Sequence, residues 1–282
     1  MPRIPEALLD APEHRSLRLE DASVTWYRVA PPPPPGRFLV TQPTLSFVRT
    51  GIKHLQPYGE AHPVIASAGS VVAMRAGVHT MTELSGDEGP FESIILSVSP
   101  VLLRGLLGSS GASQKRAAVA TAAVPPRVYA LLDDLGTGSD ASLRIREVLL
   151  VAASAPAVRE LLYAAASQWG ASDAERLRAV MQSHFLTPLA LPEYAILAAM
   201  SLSTFKRRFR EVFGESPGRW LRQARLQHAR WLLLAEQSSV TDACYGSGFG
   251  DLSNFIRAFR GQFGFSPRAY RIAHLNASGD MA

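Results

Sequence analysis

From Ser16 to Val98 apolar residues come in short runs separated by Pro, Gly and Asp clusters. Runs at Ser23–Val29, Leu39–Val40, Leu45–Val48, Val64–Ser67, Ser70–Met74 and Glu92–Val98 predict strands. Turn signals recur at Gly51, Pro57-Tyr58-Gly59, Ala68-Gly69, Ala76-Gly77 and Gly86–Pro90. Strands at that spacing predict a small barrel or sandwich. The Pro31–Pro35 run cannot donate backbone hydrogen bonds and reads as a loop.

After Pro100 the pattern turns helical. Val101–Leu107, Pro126–Leu135, Ser142–Ala153 and Pro156–Gln168 predict helices. In Ser142–Ala153 the apolar surface is expected from Leu143, Val148, Leu149 and Val151, with Arg144, Arg146 and Glu147 opposite. Gly108–Ala123, with Lys115 and Arg116, reads as a flexible connection or weak helix. Ser172 or Asp173 can cap a further helix carrying Leu177, Val180 and Met181.

From Pro192 one amphipathic pattern occurs twice, about fifty residues apart. Ser201–Trp220 reads SLSTFKRRFREVFGESPGRW, and Asp251–Tyr270 reads DLSNFIRAFRGQFGFSPRAY. Each copy predicts a short helix, a turn and a second helix. In the first copy Phe205, Phe209, Val212 and Phe213 fall on one face, and Ser203, Lys206, Arg207 and Arg210 on another. In the second, Phe255, Ile256, Phe259 and Phe263 are expected to face inward, with Ser253, Asn254, Arg257 and Arg260 outward. Between the units Pro217–Glu236 predicts a long helix of ~30 Å, close to the ~34 Å between half-sites on one side of a duplex.

Charge sharpens this picture. Between Glu193 and Arg271 lie twelve Lys and Arg against six Asp and Glu, so the entire net charge of +5 resides in the repeat region. A localised basic domain fits a polyanionic partner. Arginine can bind guanine in the major groove through two hydrogen bonds, and asparagine can bind adenine likewise. Lys206, Arg207, Asn254 and Arg257 are therefore the expected base readers, with Ser203, Ser253 and Thr204 in lesser contacts. Arg208, Arg210, Arg222, Arg260, Arg268 and Arg271 read as phosphate clamps or structural charges.

Other chemistry is thinly represented. His54, His62 and His79 with Glu60 and Glu83 are residue types that bind Fe or another divalent metal. However, Gly77–Glu83 lacks a second histidine two residues after His79, so no metal or other cofactor is expected. Cys244, the sole cysteine, excludes an internal disulfide, and its place in the repeat aligns with Ala195, which predicts a small buried residue. No nucleophile triad or phosphate-binding loop is present. No apolar run reaches the ~18 residues of a membrane span, and the N-terminus lacks the layout of a secretory signal, so a cytoplasmic, non-enzymatic protein is expected.

The motif AAMSxSTFxRxF, followed by GFGDLSNFxRxFxxxFGxSPxxYR, resembles the DNA-binding domain of AraC/XylS-type bacterial transcription regulators. The resemblance covers about residues 184–272. It implies two helix-turn-helix units entering adjacent major-groove segments of a promoter. By motif position it assigns base contact to Ser203, Lys206 and Arg207, then to Leu252, Ser253, Asn254 and Arg257. Ala199 stands where the family usually has Gly, which implies some strain in the first turn; Gly250 stands where Ser is common. The resemblance further implies a cupin-like N-terminal sensor for a small-molecule or protein effector, homodimerisation through the trailing helices, and activation through contact with RNA polymerase.

The expected architecture is thus α+β with two domains. A β-rich cupin-like sensor with helices fills 1–165, a linker 166–183, an all-α double helix-turn-helix domain 184–274, and a tail 275–282.

Overall fold

The computed structural model describes residues 1–86, 89–108, 117–135, 140–169 and 172–279, the side chains of 168–169 and 275–279 excepted. The chain divides into two compact units, residues 1–171 and 172–282, and the architecture is α+β. The first unit contains β1 (Arg3–Ile4), α1 (Glu6–Leu9), β2 (Arg15–Arg18), β3 (Ala22–Val29), β4 (Gly36–Val40), β5 (Thr44–Thr50) and β6 (Ile52–Pro57). It continues through β7 (Val64–Ser67), β8 (Ser70–Met74), β9 (Gly77–Leu84), β10 (Phe91–Val98), α2 (Pro100–Leu107), β11 (Val119–Ala123), α3 (Arg127–Asp133), α4 (Ala141–Ala152) and α5 (Pro156–Trp169).

These strands form two open sheets, ordered β1-β4-β9-β6-β7 and β11-β8-β5-β10-β3-β2. The arrangement is a sandwich and not a closed barrel. Side chains on a strand alternate between faces, and in the second sheet both faces are covered. Val48, Val72 and Ile95 join Phe38, Val40 and Leu55 of the first sheet in the core between the sheets. Their neighbours Phe47, Val71 and Ile94 point the other way, into a second core built with α2–α5. Burial on both faces gives the unbroken apolar runs that mark β8 and β10 in the sequence.

Strands β6 and β9 differ from the sequence pattern for one reason. In β6 and β9, Lys53, His79 and Glu83 occupy buried positions, which erases the apolar alternation. The part of Gly108–Ala123 expected to be a flexible connection or weak helix that lies among the described residues is instead β11. It pairs antiparallel with β8 from Val119↔Met74 to Ala123↔Ser70; Lys115 and Arg116 lie outside the described residues. On α4 the buried stripe is Ile145, Val148, Leu149 and Ala152. Leu143, expected on the apolar face, is 67% exposed because it lies about 200° around the helix from Ile145.

The second unit is all-α: α6 (Asp173–His184), α7 (Leu191–Leu197), α8 (Leu202–Phe213), α9 (Pro217–Leu234), α10 (Val240–Gly246), α11 (Leu252–Phe263) and α12 (Pro267–Gly279). Ser172 starts α6 through a reciprocal capping box with Glu175. The helix expected after Ser172 is present, inside the stretch assigned to the linker, and it packs against α7 and α8. Arg208 of α8 pairs with Asp173 at 3.1 Å.

Candidate nucleic-acid interface

The two repeats fold alike down to their caps. Ser201 accepts from the Thr204 amide at the start of α8, and Asp251 accepts from the Asn254 amide at the start of α11. Gly214 and Gly264 close the two helices in the left-handed conformation, at φ 75° and 80°. An aromatic ladder backs each helix. Phe205, Phe209 and Phe213 run into Trp220, and Phe255, Phe259 and Phe263 run into Tyr270. Phe205, Phe209, Phe255 and Phe259 are fully buried, so the rotation of each helix about its axis is fixed.

That rotation turns the cationic stripes outward. Ser203, Lys206, Arg207 and Arg210 are exposed on α8; Ser253, Asn254, Arg257 and Arg260 are exposed on α11. Thr204 and Leu252, in the first turns, are half-buried. Arg222 on α9 and Arg268 on α12 are exposed as well. Ile256, expected to face inward, instead lies outward at 37% exposed; α11 already fills its core face with Phe255 and Phe259. Arg271, read as a phosphate clamp, is half-buried and donates to the Ser238 carbonyl at 2.9 Å, which gives it a structural contact.

The two helices differ electrostatically. On α8 Glu211 accepts from Arg207 at 3.2 Å and from Arg208 at 2.9 Å, and the Arg208 hydrogen bond holds its carboxyl below the usual range. In α11 the positions equivalent to Arg208 and Glu211 are Ala258 and Gly261, so no acid of its own helix stands beside Arg257. An open groove of 670 Å³ lies there instead, between α9 and α11. Arg219, Arg222 and Gln223 line one side of it, and Asn254, Arg257 and Gln262 the other.

A helix-turn-helix domain family model matches residues 194–273, both repeats and the helix between them. The transcriptional regulator ExsA of Pseudomonas aeruginosa is 34% identical over 131 residues, which are 46% of this chain and 47% of ExsA. Residues 194–273 thus carry a helix-turn-helix domain of the AraC/XylS type. The transcriptional activator RhaS of Klebsiella pneumoniae is 38% identical over 96 residues, 34% of each chain. This chain thus spans about half the length, or less, of the curated relatives it matches. Among solved structures, the DNA-binding domain of AdpA in complex with a target DNA is 33% identical. That likeness covers 37% of this chain and 94% of that one, at a TM-score of 0.35.

Two features of the domain leave no periodic trace in the sequence. Arg225, in mid-α9, donates to the Phe185 carbonyl at 2.7 Å and the Thr187 carbonyl at 2.8 Å, and reaches the Tyr194 hydroxyl at 3.3 Å. Its guanidinium anchors the connecting helix to the turn before the first helix-turn-helix. Gly248, in the turn of the second unit, sits at φ +82° against the same turn. A β-carbon there would meet the Leu186 carbonyl oxygen at 2.4 Å. The corresponding turn residue of the first unit, Ala199, adopts φ 56°, a conformation costly for any residue with a β-carbon. Cys244 is fully buried in the core of the second unit beside Phe255 and Phe259, and burial pushes its thiol pKa up.

The histidines and acids of the first unit are placed apart from one another in role. Glu83 accepts from the Tyr27 hydroxyl at 2.9 Å and pairs with Lys53 at 3.2 Å, with both charges 1% exposed. Lys53 also donates to Ser46 at 2.9 Å. Burial lowers the Lys53 pKa, opposed by the Glu83 charge. Nε2–H of His79 donates to the Arg75 carbonyl at 3.0 Å, and its ring stacks on Phe38. Lys53 carried no signal in the sequence, since the strand that holds it, β6, was not expected there.

Proposed function

We propose that this chain is a transcription regulator that binds promoter DNA sequence-specifically, with α8 and α11 lying in adjacent segments of the major groove. The observation that carries this reading is the doubled exposed stripe on capped, core-locked helices: Ser203, Lys206, Arg207 and Arg210, then Ser253, Asn254, Arg257 and Arg260. Among these, Arg207 and Arg257 hold the same place in both copies and suit guanine, while Asn254 suits adenine. The 18 residues of α9 rise about 27 Å, the order of one duplex turn. Arg222, Arg260 and Arg268 suit phosphate contact. Arg210, at the end of the first stripe, and Arg208 beside it suit the same role, although Arg208 must first give up its pairing with Asp173 and Glu211.

ExsA and RhaS are named as a regulator and an activator of transcription, which supports the activating mode, through RNA polymerase, for this chain. The N-terminal sandwich with α2–α5 would sense a small-molecule or protein effector and hold a homodimer. Such a regulator works on the chromosome, in the cytoplasm. No helix among the described residues is long and apolar enough to cross a membrane.

Counterion release makes the test sharp. Affinity of the full chain for duplexes selected from a random library should fall at least tenfold between 50 and 200 mM salt, a loss of ~10³ or more if six or more phosphates are contacted. Binding that ignores salt, or a selection that enriches no sequence, would remove the proposal.

A further inference from the structure

Ile256 is the one exposed apolar residue among the otherwise polar or glycine positions that α11 turns outward: Ser253, Asn254, Arg257, Arg260, Gly261 and Gln262. It follows Ser253 by three residues and precedes Arg260 by four, so it shares the stripe that carries Arg257. The same position in the first copy holds Lys206, also exposed. The core does not require an apolar side chain there, since Phe255 and Phe259 already fill it. Helix stability does not require it either, because isoleucine is a weaker helix former than the lysine of the other copy.

Base edges in the major groove carry a single apolar group, the C5-methyl of thymine. We propose that Ile256 reads a thymine methyl in the second half-site, next to the base read by Arg257. The first head, with Lys206 at that position, then carries no such preference. This inference rests on the reading of α11 as a DNA-binding helix and adds to it a base identity.

Uracil provides the test, because it differs from thymine only in lacking that methyl. Duplexes selected by the full-length protein are remade with uracil at each thymine of the second half-site, one at a time. Wild-type affinity should fall about fourfold at one or two positions, the worth of one buried methyl group. Ile256→Ala should bind the thymine duplex about as weakly, with an unchanged Tm, and show no further loss on the uracil duplex. Ile256→Lys should shift the selected base at that position away from thymine. If the wild type binds uracil and thymine duplexes equally at every position, or if Ile256→Ala keeps the full uracil penalty, Ile256 is an ordinary surface residue and the proposal is overturned. If selection yields no preferred duplex at all, the DNA-binding reading of α11 fails and this inference with it, an outcome distinct from loss of methyl sensitivity alone.

Discussion

Arg207 and Arg257 occupy the same place in the repeat, but they start from different states. Arg207 is tied to Glu211, so base contact has to break an exposed ion pair, an interaction of small net worth. Arg257 faces an open groove and pays no such cost. Arg257→Ala should weaken binding to a selected duplex by ~1–3 kcal/mol and relax base preference in one half-site. Equal losses on selected and random DNA, measured by fluorescence anisotropy, would make Arg257 a phosphate contact. In the N-terminal unit, burial pushes the His79 imidazole down to about 4. The unfolded ring takes its proton near ~6.5, so between these values the unfolded chain binds more protons than the folded one. Stability should therefore fall as pH drops from about 6.5 to about 4, by up to ~3 kcal/mol, and level off below. Urea midpoints across that range check this, and His79→Gln should flatten the slope.

At the level of elements, the two turns make a controlled comparison. Ala199 and Gly248 both hold positive φ, but only Gly248 also lies against a backbone carbonyl. Ala199→Gly should raise the stability of the C-terminal unit by about 1 kcal/mol, since relief of left-handed strain outweighs the added freedom of the unfolded chain. Gly248→Ala should destabilise it by more than that, through both conformation and the clash with Leu186. Thermal melts of the two full-length variants should move in opposite directions. Arg225 joins α9 to the turn between α6 and α7 with hydrogen bonds from a charged donor. Arg225→Met should cost about 1–3 kcal/mol, because the Phe185 carbonyl is left without this charged donor, while the Thr187 carbonyl keeps the Tyr194 hydroxyl and the Leu189 amide. Much of this level was legible beforehand. Short apolar runs marked β3, β4, β5, β7, β8 and β10, and three- and four-residue spacings marked α8 and α11. Strands β6 and β9 were not legible, because their buried Lys53, His79 and Glu83 satisfy one another, or a backbone carbonyl, only after the sheets have closed.

For the whole molecule, an N-terminal sandwich with helices and a basic helical unit share one chain. If the first unit holds a homodimer, four reading helices act together and affinity rises by linkage of sites. Sedimentation of the full chain at micromolar concentration should give a dimer; a monomer with and without DNA would count against the role we assign to the N-terminal unit. Exposed Leu143 and Leu150 on α4 are the residues to change first if a dimer is found.

The repeat, its aromatic and cationic stripes, the excess of positive charge at one end and the α+β division were all set by local spacing. Helical and strand periods depend only on which residues lie three, four or two apart. Tertiary structure decided what periodicity cannot carry. It turned Ile256 outward and Leu143 away from the core, packed α6 against α7 and α8, made a strand of Val119–Ala123, and committed Arg271 and Arg225 to carbonyls far away in sequence. These outcomes depend on which neighbour already fills the core and which distant backbone group lacks a partner. Only the assembled chain supplies that information.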